Sequence, residues 1–278
     1  MFLLLAALFV LGCGSSSDSS SSTSDSDSAA SCPKGKLPTQ DQGVLTVATD
    51  EPAYPPYFED GDPTNGEGFE SAVAYAIGKQ LGYPPAKVKW TVEPFNSSYA
   101  PGPKDFDFDV NQISITPPRE KAVDFSAPYY TANQAVVALK DSDAAKAESL
   151  VELQDAKLGV QISTTSLEAA EEEIEPSSKP EVFNSSNDVV TALKNEQIDA
   201  IVVDLPTALY LTAAQVPQAT VVGQFSAPGG DQWGALLEKE SALTSCVSQA
   251  VEALKSSGEL EKLTQRWMSK AAGAPELH

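Results

Sequence analysis

From residue 44 onward, short apolar runs alternate with amphipathic stretches, and this alternation limits the fold more than any other feature of the chain. The runs predict strands at 44–49, 88–92, 110–113, 136–139, 158–160, 200–203 and 234–237. Helical spacing predicts a helix over 69–81, where Phe69, Val73, Ala76, Ile77 and Leu81 share one face, and further helices at 165–173, 187–195, 206–214, 241–255 and 259–268. Strands that alternate with helices are expected to build a mostly parallel α/β sheet covered on both faces. Ligands of such sheets bind beyond the carboxyl ends of the strands, which here fall at Asp50, Ser114, the turn 161–165 and Asp204.

Composition removes several alternatives. With 18 Lys+Arg against 39 Asp+Glu the net charge is −21, so a phosphate backbone would be repelled and no nucleic-acid partner is expected. His278 is the sole histidine, and Cys13, Cys32 and Cys246 lie far apart without a CxxC. Zinc sites and Cys/His or Ser/His catalysis therefore lack their parts, and neither metal nor cofactor is expected.

Residues 2–11, FLLLAALFVL, are apolar throughout but shorter than the roughly 20 residues that span a bilayer, and residues 1–12 read as a signal peptide. The sequence Val10-Leu11-Gly12-Cys13 resembles a bacterial lipobox. That resemblance implies a diacylglycerol on Cys13 and an extracytoplasmic protein anchored to the bacterial cell membrane. Residues 14–31 hold eleven Ser, three Asp and no large apolar side chain, so nothing there offsets the entropy of ordering. The segment 13–43 reads as the lipidated cysteine and a flexible tether.

Five motifs then occur in order: GFESAVAYAIGKQLG from Gly68, SITPPREKAVDFSAPYY from Ser114, GVQISTTSLEAA from Gly159, IDAIVVDLP from Ile198 and CVSQAVEALKSSGELEKLTQRWM from Cys246. Together they resemble the extracellular solute-binding proteins of the polar amino-acid ABC transporters. The resemblance implies the type II periplasmic-binding-protein fold, two α/β lobes joined by two hinge strands. Lobe one would be 44–135 plus 228–278, and lobe two 136–227. It also implies a monomer that binds a polar amino acid in the cleft and delivers it to an ABC permease. The sequence departs from the family at Ala72, where a second acid is usual, and over 98–107, where Pro101 and Pro103 replace a helix.

An α-amino acid needs a fixed cation for its carboxylate and a fixed anion for its ammonium. Arg119 is one of only two arginines and follows a strand end beside Ser114 and Thr116. Its planar fork suits a carboxylate, and the resemblance assigns it that role with Ser114 assisting. Thr164 and Thr165 open a predicted helix, where they either cap it or share the carboxylate. Asp204 either caps the next helix or, as the resemblance implies, receives the ammonium. The loop TDEPAYPPYF brings Asp50, Glu51, Tyr54 and Phe58 after the first strand, with Tyr54 the best match to an aromatic that stacks on the ligand. Phe58 and Phe95 are divided between core and ligand wall, and Gln112 completes the candidate ligand-binding set. A single cation among several acids favours arginine, lysine, histidine or glutamine over glutamate and aspartate. A lysine distant in sequence that folded into the cleft, Lys104 in the proline-flanked loop for instance, would alter that balance. The same fold also carries cyclohexadienyl dehydratases, which work on prephenate or arogenate, and an enzyme of that type is the competing expectation. With Cys13 lipidated in an oxidising compartment, Cys32 and Cys246 are left to form a disulfide.

Overall fold

The computed structural model describes residues 32–227, 230–268 and 274–278. The expected signal peptide, the expected lipidation site at Cys13 and the segment 14–31 lie outside the described residues. Two five-stranded sheets organise the chain, and both are mixed rather than mostly parallel. In sheet one, β1 (Leu45–Thr49) lies parallel to β2 (Val88–Val92) and to β3 (Phe108–Asp109), while β10 (Asp231–Leu237) runs antiparallel to β3 and to β4 (Asp124–Ala132). In sheet two, β6 (Leu158–Gln161) is parallel to β7 (Glu181–Phe183) and β8 (Ala200–Asp204). There β5 (Gln134–Leu139) runs antiparallel to β8 and to β9 (Ala219–Phe225).

The chain passes from sheet one to sheet two at Asn133, between β4 and β5, and returns between β9 and β10. Antiparallel pairing enters because β4, β5, β9 and β10 are the long strands that make these crossings. Each sheet buries both faces, as the alternation of β5 illustrates: Val136 and Ala138 join one apolar cluster, Ala135 and Val137 the other. Around sheet one, α1 (Phe69–Leu81), α7 (Thr244–Ser256) and α8 (Glu259–Met268) cover one face, and the second face holds a smaller cluster with Ala48, Ile113 and Leu236.

Several segments sit differently from the boundaries read in the sequence. The strand expected at 110–113 lies at β3, two residues earlier, because Gln112 adopts φ 50° and breaks the extended run. The helices expected at 165–173 and 206–214 are short α4 (Thr165–Ala169) and α6 (Leu205–Tyr210), each continued by a π turn. Sheet two begins at Gln134 rather than 136. Leu37 is buried in the core of sheet one, and Gln40 donates to Asp107 and to the Lys104 carbonyl, so the chain from Cys32 to residue 43 packs on lobe one instead of serving as tether. Residues 274–278 pack on sheet two, not lobe one: Glu276 pairs with Gln224 and Leu277 enters its core. Cys32 and Cys246 form a disulfide that ties the start of the described chain to α7.

Gly68 sets the approach of the first loop to the sheet. Its φ is 95°, and a Cβ there would stand 2.4 Å from the Tyr57 carbonyl oxygen. That oxygen accepts from the Glu70 N–H at 3.0 Å, so only glycine lets the 54–58 loop seat on the N-terminus of α1.

Candidate functional site

A cavity lies where the carboxyl ends of the parallel strands of both sheets converge. Sheet one contributes Asp50, Tyr54, Tyr57, Phe95, Gln112, Ser114 and Arg119, and sheet two contributes Gln161, Thr164, Thr165, Asn187, Asp204 and Tyr210. Of the candidate set only Glu51 stays outside: it is exposed and lines no part of the cavity, because its loop turns outward after Asp50. Asp50 is engaged by backbone N–H groups of its own loop and of the next cavity segment. Its two oxygens accept from the Glu51 N–H at 2.7 Å and from the Phe95 N–H at 3.2 Å, which fastens α2 (Phe95–Ser98) to the cavity rim.

Arg119 is carried by the one-turn helix α3 (Pro117–Glu120), capped by the Thr116 hydroxyl. The side chain is buried. Its Nη1 donates to the Ser114 carbonyl at 2.7 Å and its Nη2 to the Ser163 carbonyl of sheet two at 2.9 Å. The guanidinium sits 4.8 Å from the Tyr99 ring centroid and 5.6 Å from that of Phe95. Burial pulls its pKa down, while Tyr99 and nearby acids pull it back up. Among the described residues no carboxylate lies within 4.0 Å of it. Carbonyls and rings thus hold a desolvated cation that lacks a counter-ion.

Asp204 stands at the start of α6 and makes no capping bond with its side chain. Instead Oδ1 accepts from Gln134 Nε2 at 2.7 Å. Burial and then Asp231 push its carboxyl well above the ordinary range, opposed by Gln134 and Arg119. Thr164 does cap α4, accepting from the Leu167 N–H at 3.3 Å, and Thr165 donates to Asp231 at 3.0 Å and meets the Ser114 hydroxyl at 3.3 Å. Phe58 is a core residue that packs edge-on against Trp90 and only backs the cavity wall. Phe95 belongs to the rim, stacked edge-on with Tyr99.

Several contacts at the site escape a reading of the sequence. Tyr54 donates to Asn187 across the cleft at 2.8 Å and faces Tyr210 with centroids 6.0 Å apart. The Tyr57 hydroxyl pairs with Thr207 at 2.7 Å. Gln112 is bound by Glu70, which accepts from its backbone N–H at 2.7 Å and from its side chain, and also from Tyr129. Burial pushes the Glu70 carboxyl up to about 7 against these bonds. Lys104 donates to the carbonyls of Ala100 and Ser97 and does not line the cavity. Among the described residues the cavity's charged groups are therefore Asp50, Asp204 and Arg119.

Residues 45–270 match the family model of bacterial extracellular solute-binding proteins, family 3. The chain belongs to that family. It is 32% identical over 222 residues to the arginine-binding extracellular protein ArtP of Bacillus subtilis, covering 78% of this chain and 83% of that one. A solved structure of an ancestral arginine-binding protein bound to glutamine superposes with a TM-score of 0.67 at 30% identity, covering 82% of this chain and 98% of its own. The ancestral amino-acid-binding protein AncCDT-1, a precursor of cyclohexadienyl dehydratase, gives a TM-score of 0.65 at 31% identity over 81% and 94% of the two chains. The family and these relatives are binding proteins, which supports a receptor over the dehydratase expectation. Family membership makes this an extracytoplasmic solute-binding protein of type II periplasmic fold. No helix among the described residues is long and apolar enough to cross a membrane.

Proposed function

We propose that this chain is an amino-acid receptor that takes up a cationic or neutral polar amino acid, arginine foremost, between its lobes and delivers it to an ABC permease. The observation that carries the reading is Arg119, a buried guanidinium without a counter-ion on the cavity wall, facing a cavity whose other charges are acids. A ligand α-carboxylate would complete it with charge-assisted bonds, and the Ser114 hydroxyl adds a donor. Asp204, free of capping duty, takes the ammonium from the opposite lobe. The ligand side chain then lies among Tyr54, Tyr210 and Phe95, whose ring faces attract a guanidinium or ammonium by about 0.5–2 kcal/mol. A second ligand carboxylate would find no free cation there. The diacylglycerol on Cys13 would keep the receptor at the membrane surface beside its permease, since two acyl chains suffice as an anchor.

Isothermal titration of arginine into Arg119→Ala and Asp204→Ala tests the clamp. Each variant leaves the partner charge of the ligand desolvated, so the expected loss is about 2–5 kcal/mol, or more than about thirtyfold in affinity. Near-normal affinity in either variant contradicts the assignment.

A further inference from the structure

Behind the Asp204 wall lies a second carboxylate. Asp231, the first residue of β10, is 2% exposed. It accepts from the Thr165 hydroxyl at 3.0 Å and from Nε2 of Gln134. The same Nε2 donates to Asp204 Oδ1 at 2.7 Å, so one amide spans two carboxylates, while its carbonyl Oε1 is buried without a hydrogen-bond partner. Among the described residues no lysine or arginine lies within 4.0 Å of either acid. Gln134 opens β5 and Asp231 opens β10, the strands that follow the two crossings between the sheets. The network therefore runs across the hinge, and through Thr165 it reaches Ser114 beside Arg119.

We propose that Asp231 is a positioning residue for ligand binding, holding Thr165 at the carboxylate end and, through Gln134, Asp204 at the ammonium end, and adding a second negative charge behind the ammonium. The inference rests on the reading of the cavity as an amino-acid site. Its physical basis is that two carboxylates in one dry corner repel each other, and an arriving cation relieves both at once. The neutral amide between them gives each acid one N–H and neutralises neither.

Asp231→Asn keeps the size and an acceptor oxygen but removes the charge, whereas Asp231→Ala removes the tie as well. Binding is measured for arginine and for 5-guanidinopentanoate, which is arginine without its α-ammonium. Asp231→Asn is expected to weaken arginine about tenfold and 5-guanidinopentanoate less than twofold, with Asp231→Ala weaker still for arginine. Unchanged arginine affinity in Asp231→Asn, or an equal loss for both ligands, overturns the proposal. The wild-type titration comes first, and absence of arginine binding there counts against the amino-acid reading itself. Interlobe distances from paired spin labels on the ligand-free chain decide the tie independently of ligand: Asp231→Ala is expected to lengthen them, and an unchanged distribution overturns the proposal. Circular dichroism melts verify folding, and Asp231→Asn carries the test if the alanine variant is unstable.

Discussion

The two lobes bury comparable apolar clusters but differ in what else they bury. Among the described residues the charged side chains that are almost fully buried sit in sheet one and its surroundings, Glu70, Lys104, Asp107, Asp109, Arg119 and Asp231, whereas Asp204 of sheet two is half-buried. Around sheet two the buried polar residues are Gln134, Ser166 and Gln224, all neutral. Lobe one thus bears the desolvation cost of presenting a cation and a tightly bonded Gln112 loop to the cleft. Lobe two contributes Asp204 and the hydroxyls of Thr164 and Thr165 at a helix start, all half-buried where they line the cavity. The difference marks lobe one as the pre-organised half and lobe two as the half that completes the site, and it makes the stability of lobe one sensitive to pH.

Removing the Cys32–Cys246 disulfide sharpens the comparison most, because it staples lobe one alone. Its partners are 214 residues apart, so Cys32→Ser with Cys246→Ser is expected to cost about 2–4 kcal/mol, toward the upper end. Chemical denaturation followed by hydrogen exchange should place the loss in sheet one, and equal loss in both sheets would break the distinction.

Glu70 supplies the next effect. Its folded pKa of about 7 exceeds the ordinary 4.5, so the stability it contributes is present below about pH 4.5 and is lost as pH rises through 7. The difference amounts to about 3 kcal/mol. Glu70→Gln should flatten the pH dependence of unfolding between these limits, and a slope identical to wild type would contradict the account. A smaller change tests the closing contact. Tyr54→Phe removes one hydrogen bond to Asn187 and is expected to weaken ligand binding by about 1 kcal/mol. Calorimetry showing no loss would mean that the contact does not form with ligand bound.

Elements with their own periodicity were legible in the sequence. The helix at 69–81, the strand at 88–92 and the helix at 259–268 match the structure because each carries a complete apolar stripe or run. The strands β4, β7 and β9 were not. β4 mixes Ser126, Pro128 and tyrosines and pairs with β10 through register shifts, and β7 is a three-residue edge. Gly223 of β9 has its place set by Leu277, whose side chain would lie 2.6 Å from an added Cβ. Around the cavity, Arg119 stood out by rarity and Asp204 by following an apolar strand. Glu70, Gln134 and Asp231 did not, since a buried polar residue inside a regular element declares itself only through partners distant in sequence. Glu70 left one trace, an acid between Phe69 and Val73 on the face of α1 that must be buried.

The central claim is that a cavity with one cation and two acids selects against a second carboxylate. Competition binding across arginine, lysine, histidine, glutamine, glutamate and aspartate on the wild-type protein measures this directly. The account predicts arginine tightest, with lysine, histidine and glutamine ahead of both acidic amino acids. Tightest binding of glutamate or aspartate would contradict it.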